Sequence, residues 1–293
     1  MALPRVDTLV HYPSGSTKAA STVVHVEPVG ERFAVLLDAT PVHPIDAGWP
    51  DQPSDRAIIS WDGGTASVDA AADEFGGAVV GATDGSALHL GRDIPVRTGA
   101  EGWAFVVGHL VANPPPVGAQ VTVAVDADYR RALSLGHTGC HLASLALNRA
   151  MASRWSKDAR PDALGAPNFD GEANDASRIL ERGSLDTYRL GKSLRKKGFG
   201  TAGIEDALAG IEEEVNATLA AWIAEDAPVC IDRDGDGLTD RRYWVCALAD
   251  GEARIACGGT HATSLGELGT LRSTLSLEDV EGTPVLTMRT TQT

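Results

Sequence analysis

Two short motifs, far apart in the sequence, constrain the fold more than any other feature. His137 and His141 lie four residues apart inside the segment 128–151, where apolar residues recur with the period of a helix. This spacing places both imidazoles on one helix face, one turn apart. Cys257 and His261 form a second pair, directly after a segment with strand character. The sequence therefore predicts a fold that brings a helix and the end of a strand together around four side chains.

These four side chains are of the types that zinc prefers. Histidine nitrogen and cysteine sulfur are its usual donors, and a Cys/His₃ set suits tetrahedral coordination. The alternative for the first pair alone is an ordinary amphipathic helix with histidines in its core and on its surface. The two motifs together favour a bound Zn²⁺ ion. The predicted ligands are His137, His141, Cys257 and His261.

The secondary-structure pattern changes near residue 126. Before it, short apolar runs alternate with Gly, Pro, Asp and Ser, as in a small barrel or sandwich. After it, helical periods at 128–151 and 204–223 are mixed with strand-like runs. The expected fold class is α+β, with an N-terminal β-barrel domain over 1–125 and an α+β domain over 126–293 that holds zinc between helix and strand.

The expected strands are short runs rich in β-branched and aromatic residues. They cover residues 20–26, 33–37, 57–61, 103–107, 121–125, 243–248, 253–257, 271–277 and 285–289. The segment 158–177 is rich in Asp, Ala, Pro, Gly and Asn, so it is expected to be a loop or surface insertion. Trp49, Trp61 and Trp103 fall in the N-terminal half, where we expect them in the core of the barrel.

The composition is typical of a soluble globular protein. Hydrophobic residues make up 43% of the chain and charged residues 22%, which leaves enough apolar side chains for a core. No apolar run is long enough to span a bilayer, and the first residues lack a signal-peptide pattern. We therefore expect no membrane contact and a cytoplasmic location. In that compartment, the four cysteines are expected as free thiols or metal ligands.

The charge is strongly acidic, with one local exception. A formal net charge of −15 argues against a broad nucleic-acid-binding surface, because such a surface must neutralise phosphates. The exception is one dense basic stretch. It contains Arg189, Lys192, Arg195, Lys196 and Lys197. Phosphate binding is the functional interpretation, and a solvated helix end favoured by the helix dipole is the alternative.

A second acidic feature has the pattern of a calcium loop. Asp232, Asp234 and Asp236 occupy the first, third and fifth positions of such a loop. Tyr243 stands where the bidentate glutamate belongs, and Pro228 disfavours an incoming helix. A glycine-rich hairpin turn is therefore the favoured interpretation, with calcium binding as the alternative.

Around the two metal motifs the sequence resembles a known family. Gly136-His-Thr-Gly-Cys-His-Leu-Ala-Ser-Leu-Ala-Leu147 and Cys257-Gly-Gly-Thr-His-Ala-Thr-Ser-Leu-Gly-Glu-Leu-Gly269 resemble the metal site of the alanyl-tRNA synthetase editing domain, which the freestanding AlaX proteins share. Leu37-Asp-Ala-Thr-Pro-Val-His-Pro44 resembles the barrel segment of that family. One departure is clear. Ala47-Gly-Trp-Pro-Asp51 replaces the glycine triplet that precedes the family's glutamine, which is Gln52 here.

The resemblance implies zinc-dependent hydrolysis of the ester in tRNA(Ala) that wrongly carries serine or glycine. No adenylation domain is visible in the sequence, so the expected reaction is correction in trans by a metal-dependent aminoacyl-tRNA hydrolase. The resemblance also implies that the Thr40 hydroxyl contacts the substrate hydroxyl, with a turn threonine before Pro41 as the alternative. The candidate substrate-binding residues are Thr40, Gln52, Gly258 and Gly259. The candidate tRNA-binding residues are Lys192, Arg195, Lys196 and Lys197.

Two other functions stay open at this point. The same metal site could hydrolyse another small amino-acid ester or amide, which the acidic charge and the altered glycine triplet favour. The chain could also be a non-catalytic, zinc-stabilised module that binds tRNA or a synthetase. In the enzyme, zinc is expected to hold the substrate or to activate a water molecule. No glutamate follows His137 as in HExxH proteases, so the general base stays unassigned.

Overall fold

The computed structural model describes residues 2–69 and 77–293. The chain forms two compact units, and neither is continuous in sequence. The first unit comprises Met1–Arg130, Arg233–Arg242 and Gly258–Thr260. The second unit comprises Arg131–Asp232, Tyr243–Cys257 and His261–Thr293. Each unit is therefore assembled from segments that lie far apart along the chain.

The first unit is built from β-strands. Within the described residues these are β1 (Leu9–Val10), β2 (Lys18–Val29), β3 (Arg32–Leu37), β4 (Ala39–Thr40), β5 (Ala57–Trp61), β6 (Gly64–Val68), β7 (Ala78–Thr83), β8 (Leu88–Leu90), β9 (Ala104–Val111) and β10 (Gln120–Val125). One antiparallel sheet has the order β6-β5-β10-β2-β3-β9-β7-β8, and β1 pairs with β4 in parallel. The five strands predicted before residue 126 are confirmed, whereas closure into a barrel stays a prediction.

Alternating side chains give this sheet its buried face. In β10, Val121, Val123 and Val125 are buried, and the residues between them are more exposed. β9 is buried along its whole length because its neighbours in the sheet are β3 and β7 and its side chains are almost all apolar. Burial of each such valine stabilises the fold by about 1.5–3 kcal/mol.

The prediction of a buried Trp49 is wrong. Its side chain is 56% exposed, because it lies on a turn rather than in a strand. In this turn the Asp46 side chain accepts a hydrogen bond from the Gly48 amide at 2.8 Å, and the Trp49 amide donates to the Asp46 carbonyl at 3.2 Å. Trp61 and Trp103 are partly buried.

The remaining elements are four helices and seven strands of the described residues. The helices are α1 (Ala127–Ala150), α2 (Phe169–Ala173), α3 (Lys192–Lys196) and α4 (Ile204–Ala224). The strands are β11 (Asn174–Leu180), β12 (Gly183–Arg189), β13 (Val229–Arg233), β14 (Arg242–Leu248), β15 (Gly251–Ala256), β16 (Leu271–Val280) and β17 (Thr283–Gln292). They form sheets of order β11-β12-β17-β16 and β13-β14-β15. The predicted long helices and the four predicted C-terminal strands are confirmed, and the chain is α+β.

The prediction that 158–177 is a loop is partly wrong. It contains α2 and the first residues of β11. The Asn168 side chain begins α2 by accepting a hydrogen bond from the Gly171 amide at 2.7 Å. The start of β11 shows no apolar pattern in the sequence, because β11 is an edge strand whose first residues are polar and largely exposed.

Helix α4 covers an edge of the four-stranded sheet with polar side chains. The Asn216 side chain donates from Nδ2 to the Ser273 backbone carbonyl and accepts at Oδ1 from the Ser273 backbone amide, both at 2.8 Å. The Glu212 carboxylate accepts from the Leu275 amide at 2.9 Å. These side chains replace the partner strand that edge strand β16 lacks on this side, which protects the edge.

Gly136 lets α1 approach the turn between β11 and β12. A Cβ atom at this position would lie 2.3 Å from the Leu180 carbonyl oxygen and 2.5 Å from the Gly183 carbonyl oxygen. The Arg182 amide donates to the Ala132 carbonyl at 2.8 Å, one helical turn earlier. This contact sets the position of α1 immediately before its first histidine.

We predict that Gly136→Ala destabilises the protein by about 2–3 kcal/mol or more, because backbone atoms cannot move aside for the methyl group. Gly210→Ala is the matched control, since Gly210 is an exposed residue of α4 with open space at its Cβ position. The control should be neutral or stabilise the fold by up to about 1 kcal/mol. Urea unfolding followed by circular dichroism measures both variants, and equal stabilities would contradict the prediction.

Candidate metal centre

Helix α1 supplies the first two of the predicted metal ligands. His137 is buried and His141 is partly buried, and their ring centroids lie 4.9 Å apart. Both histidines lie on one face because four residues complete about one turn of helix. Apolar residues on the same stretch, such as Leu142 and Leu145, are buried and hold α1 in the core.

The second pair follows β15 and meets the first. The Cys257 sulfur lies 3.2 Å from His261 Nε2 and 3.4 Å from His137 Nε2. The ring of His261 lies 4.4 Å from that of His137 and 5.1 Å from that of His141, between centroids. One donor atom from each of the four residues lies within 4.8 Å of the others. The predicted convergence of helix and strand is therefore present.

The geometry of these donors suits zinc. Zn–S bonds of about 2.3 Å and Zn–N bonds of about 2.0 Å in a tetrahedron place sulfur and nitrogen roughly 3.5 Å apart. The two sulfur–nitrogen distances at Cys257 are close to this value. The residues therefore fit one ion of the size of zinc.

His141 supports the same interpretation. Its Nε2 atom is buried and has no hydrogen-bond partner among the described residues. An unpaired buried nitrogen is costly in a core, and a metal ion would remove that cost. Burial lowers the pKa of His141 to about 4, so the imidazole is neutral at pH 7. Neutral imidazole is the form that binds metals.

Thr138 contacts the ring nitrogen of His261 that does not face Cys257. This fully buried residue of α1 places its hydroxyl oxygen 3.3 Å from His261 Nδ1 and 3.0 Å from the Ala262 amide, which donates to it. If Nε2 of His261 binds a metal, its proton is on Nδ1 and points at the Thr138 oxygen. Such outer hydrogen bonds fix the tautomer and ring orientation of a histidine ligand.

Trp244 forms an aromatic wall beside the centre. It is fully buried, and its ring lies 5.3 Å from that of His141 and 6.4 Å from that of His261. Its indole nitrogen has no hydrogen-bond partner among the described residues. The wall restricts where the two imidazoles can move and lowers the polarity around them.

Thr40, a predicted substrate-binding residue, is fully buried in the first unit. Its hydroxyl lies 2.9 Å from His109 Nε2 and accepts a hydrogen bond from the Val42 amide at 3.2 Å. His109 Nδ1 donates to the Val35 carbonyl at 2.9 Å, and burial lowers the His109 pKa to about 4. Because neutral His109 carries its proton on Nδ1, Thr40 donates its own proton to Nε2.

Gln52, Gly258 and Gly259 also lie in the first unit. The Gln52 side chain is buried and makes two hydrogen bonds to Thr260. Its Nε2 atom donates to the Thr260 hydroxyl at 2.9 Å, and its Oε1 atom accepts from the Thr260 backbone amide at 3.0 Å. Gln52 therefore holds the backbone of the residue that precedes His261. Gly258 is exposed, with open space at its Cβ position, while Gly259 is buried.

The predicted basic residues lie on and beside α3 in the second unit. Arg189, Lys192, Arg195, Lys196 and Lys197 are all exposed. Lys197 forms an ion pair with Glu172, and Arg195 donates to the Leu190 carbonyl at 3.0 Å. The interpretation of this stretch as a nucleic-acid contact stays a prediction.

The aspartates of 232–240 do not form a second candidate metal site. In the described part of the chain, the cluster at His137 is the only group of three or more potential metal-binding side chains that converge. The Asp240 carboxylate accepts from the Gly237 amide at 2.7 Å, and Arg254 pairs with Asp232 at 2.6 Å. The segment joins the neighbouring strands β13 and β14, as predicted for a hairpin turn.

Thr138 and Trp244 were not expected from the sequence as parts of the centre. Thr138 directly follows His137, and polar residues beside a ligand inside a helix are a signal for a supporting hydrogen bond. Trp244 belongs to the alternating buried face of β14, together with Cys246 and Leu248. That period predicts burial for Trp244 but not its neighbours in space.

The curated proteins that are similar to this chain include two alanine–tRNA ligases and one editing protein. The chain is 27% identical to the alanine–tRNA ligase of Parafrankia sp. over 83% of the chain and 22% of that protein. It is 26% identical to the alanine–tRNA ligase of Pyrobaculum neutrophilum over 92% of the chain and 25% of that protein. It is also 26% identical to the alanyl-tRNA editing protein AlaX-M of Pyrococcus horikoshii over 82% of the chain and 78% of that protein.

The chain thus spans about a quarter of the length of the two ligases, but most of the editing protein. No family model matches it. Among the described residues, no helix combines the length and the apolar character that a membrane span requires.

We predict that the purified protein carries stoichiometric zinc and that Cys257→Ala loses most of it, because the thiolate is the softest donor of the set. Cys230→Ala is the matched control, since Cys230 is an exposed free cysteine outside the cluster. Mass spectrometry of the metal content after gel filtration measures both variants. Full zinc occupancy in Cys257→Ala would contradict this assignment.

We also predict that Thr138→Val lowers zinc affinity about 10- to 100-fold and that Thr138→Ser restores most of it. The control is Thr290→Val, because Thr290 is an equally buried threonine of the second unit that bonds Ser273 at 2.8 Å. It should lower stability without lowering zinc affinity. Competition with a chromophoric chelator reports the affinity. Equal effects of Thr138→Val and Thr290→Val would assign Thr138 a purely structural role.

Proposed function

We propose, from the similarity of this chain to the alanyl-tRNA editing protein AlaX-M and to alanine–tRNA ligases, that it is an editing protein of this kind and hydrolyses the aminoacyl ester of mischarged tRNA(Ala). The convergence of His137, His141, Cys257 and His261 is the observation that carries the proposal. The expected substrates are tRNA(Ala) with serine or glycine at its 3′ end.

A zinc ion held by these four residues would supply a Lewis acid beside the ester carbonyl. The protein's own part is to fix the geometry. Thr138 orients His261, and Trp244 limits the movement of His141. Positioning of this kind contributes much of an enzyme's rate, because an aminoacyl ester needs only modest activation.

The exposure of the ligands supports an enzyme over a purely structural site. His141, Cys257 and His261 are each partly exposed, and His137 alone is buried. A structural zinc site is usually closed, whereas a catalytic one must be open to substrate. Partial exposure of Cys257 and His261 is what an open site requires, while the Nε2 atom of His141 itself is buried.

The number of donors favours the second candidate, a zinc-stabilised module without catalysis. Four protein donors fill a tetrahedral site, and structural zinc sites have this number. A catalytic centre here requires a fifth coordination position or the release of one donor. Cobalt substitution tests this point, because four- and five-coordinate Co²⁺ differ in visible absorption.

Serine selectivity is proposed to involve Thr40. The Thr40 hydroxyl donates its proton to His109 and accepts one hydrogen bond from the Val42 amide. It can therefore make one further hydrogen bond, and only as an acceptor. A serine hydroxyl would donate to it and the methyl group of alanine would not, so Thr40 accounts for the preference for serine over alanine and not for turnover of glycine. Because Thr40 is fully buried, this contact requires neighbouring side chains to move when substrate binds.

A different substrate is the third candidate. Trp49 and Pro50 stand where the family has glycines, and a bulky turn prevents the close backbone approach that glycine allows. If this change excludes the tRNA end, a smaller ester or amide becomes the better substrate. The exposed position of Trp49 also leaves it able to stack on a base.

We predict turnover of Ser-tRNA(Ala) and Gly-tRNA(Ala), little turnover of Ala-tRNA(Ala), and loss of activity after chelation that added Zn²⁺ restores. Release of radiolabelled amino acid measures each rate, and Thr-charged tRNA completes the panel. Cys230→Ala serves as the active control and Cys257→Ala as the inactive one.

The outcomes separate the candidates. Turnover of free serine esters without turnover of Ser-tRNA(Ala) would support the small-substrate hydrolase. Zinc binding and tRNA binding without hydrolysis of any ester would support the non-catalytic module. Either result would overturn the proposed deacylase.

A further inference from the structure

The basic stretch of the second unit is a concentrated positive patch on an acidic protein. Five cations occur between Arg189 and Lys197 without one carboxylate between them, in a chain of net charge −15. Helix α3 carries the centre of this stretch. Leu194 and Phe199 are buried beneath it, so the charged side chains stand on a packed base.

A second segment adds cations to the same surface. The Lys157 ammonium donates to the Lys196 carbonyl at 3.1 Å, and the Arg154 guanidinium donates to carbonyls of Gly200 and Ala202 at 3.3 and 3.2 Å. The sequence separates these residues from α3, and only the fold brings them together. We call the surface formed by Arg154, Lys157, Arg189, Lys192 and Lys196 the basic face.

Backbone contacts fix the two segments to each other. The Ser156 amide and hydroxyl both donate to the Gly198 carbonyl at 2.9 Å. The Trp155 ring packs edge-on against Phe199 at 5.2 Å between centroids. Gly198 has a φ of +106°, and a Cβ there would lie 2.8 Å from the Lys157 Cβ. A fixed arrangement of charges loses little entropy when it binds a ligand.

The cations of the basic face differ in their availability. Arg189, Lys192 and Lys196 have no carboxylate partner among the described residues, whereas Lys197 is paired with Glu172. Arg189, Lys192 and Arg195 line one cleft of about 460 Å³, together with Glu172 and Asp175. Glu172 is paired with Lys197, so the three cations of this cleft share it with one further carboxylate, and Lys197 is expected to contribute least to binding an anion.

The basic face and the metal centre belong to the same unit and are linked by one helix. Ala150 lies nine positions after His141 in α1, which corresponds to about 14 Å of helix. The turn Ala152–Arg154 follows directly and carries the first cation of the basic face. A nucleic acid with its 3′ end at the metal centre would thus have nearby phosphates within reach of this face.

We propose that the basic face binds backbone phosphates of the tRNA acceptor end and sets the position of the ester at the metal centre. The proposal rests on the proposed deacylase function. RNA is favoured over an acidic protein segment because a phosphate backbone presents charges at regular spacing to several cations carried by two segments that are fixed to each other. Phosphate contacts position a nucleic acid without reading its sequence, which suits an enzyme whose chemistry lies at the chain end.

The test compares Lys192→Glu/Lys196→Glu with Lys18→Glu/Arg97→Glu. Both double variants change the net charge equally, and all four side chains are exposed, but Lys18 and Arg97 belong to the first unit. Binding of uncharged tRNA(Ala) is measured by fluorescence anisotropy at several salt concentrations. We expect weaker binding in the first variant only, with a salt slope reduced by about two. Lys192→Arg/Lys196→Arg should bind like the unmodified protein.

A kinetic comparison completes the test. The first variant should raise KM for Ser-tRNA(Ala) with little change in kcat, and should leave hydrolysis of a seryl trinucleotide ester unchanged. Equal tRNA binding by both charge-reversed variants would overturn the proposal, even if an acidic protein bound the basic face instead. Because uncharged tRNA is the binding probe, failure of the deacylase function would leave this result interpretable.

Discussion

The hydrogen bonds of Thr138 connect the two halves of the metal centre. The Ala262 amide donates to its hydroxyl oxygen at 3.0 Å, and His261 Nδ1 lies 3.3 Å from the same atom. One side chain of α1 thus fixes both the backbone after the second motif and the ring of its histidine. Without this link, the chain around His261 would be held only by its flanking contacts, which are the Gln52 hydrogen bonds to Thr260 and the packing of Leu265 and Leu268.

The donor set places the centre between two classes of zinc site. Four donors are typical of a structural ion, and partial exposure of three of them is typical of a reactive one. The supports of the donors also differ, because the Thr138 hydroxyl fixes His261 whereas the Trp244 ring confines His141, whose buried Nε2 has no other partner among the described residues.

Helical periodicity and ligand spacing predicted α1, α4 and the four side chains that converge as candidate metal ligands, because these depend on local sequence. Other features depend on distant contacts. Nothing near Gln52 indicates that its amide bonds Thr260, and nothing near Gly136 indicates the approach of Gly183. Strands β6 and β11 were missed because small and polar side chains serve as well as apolar ones where a strand faces outward. Thr40 was found only through family resemblance.

The acidic charge and the basic face are compatible once screening is considered. At physiological salt, charges more than about 8 Å apart are largely screened in solvent, so a phosphate responds mainly to its nearest side chains. The remaining carboxylates reduce long-range attraction and hence the rate of encounter, but they do not remove the contact itself. A deacylase of the proposed kind would gain from such weak overall attraction, because it must release its tRNA after one hydrolysis. Lys192 and Lys196 would then orient the tRNA, while the net charge of −15 would favour its release.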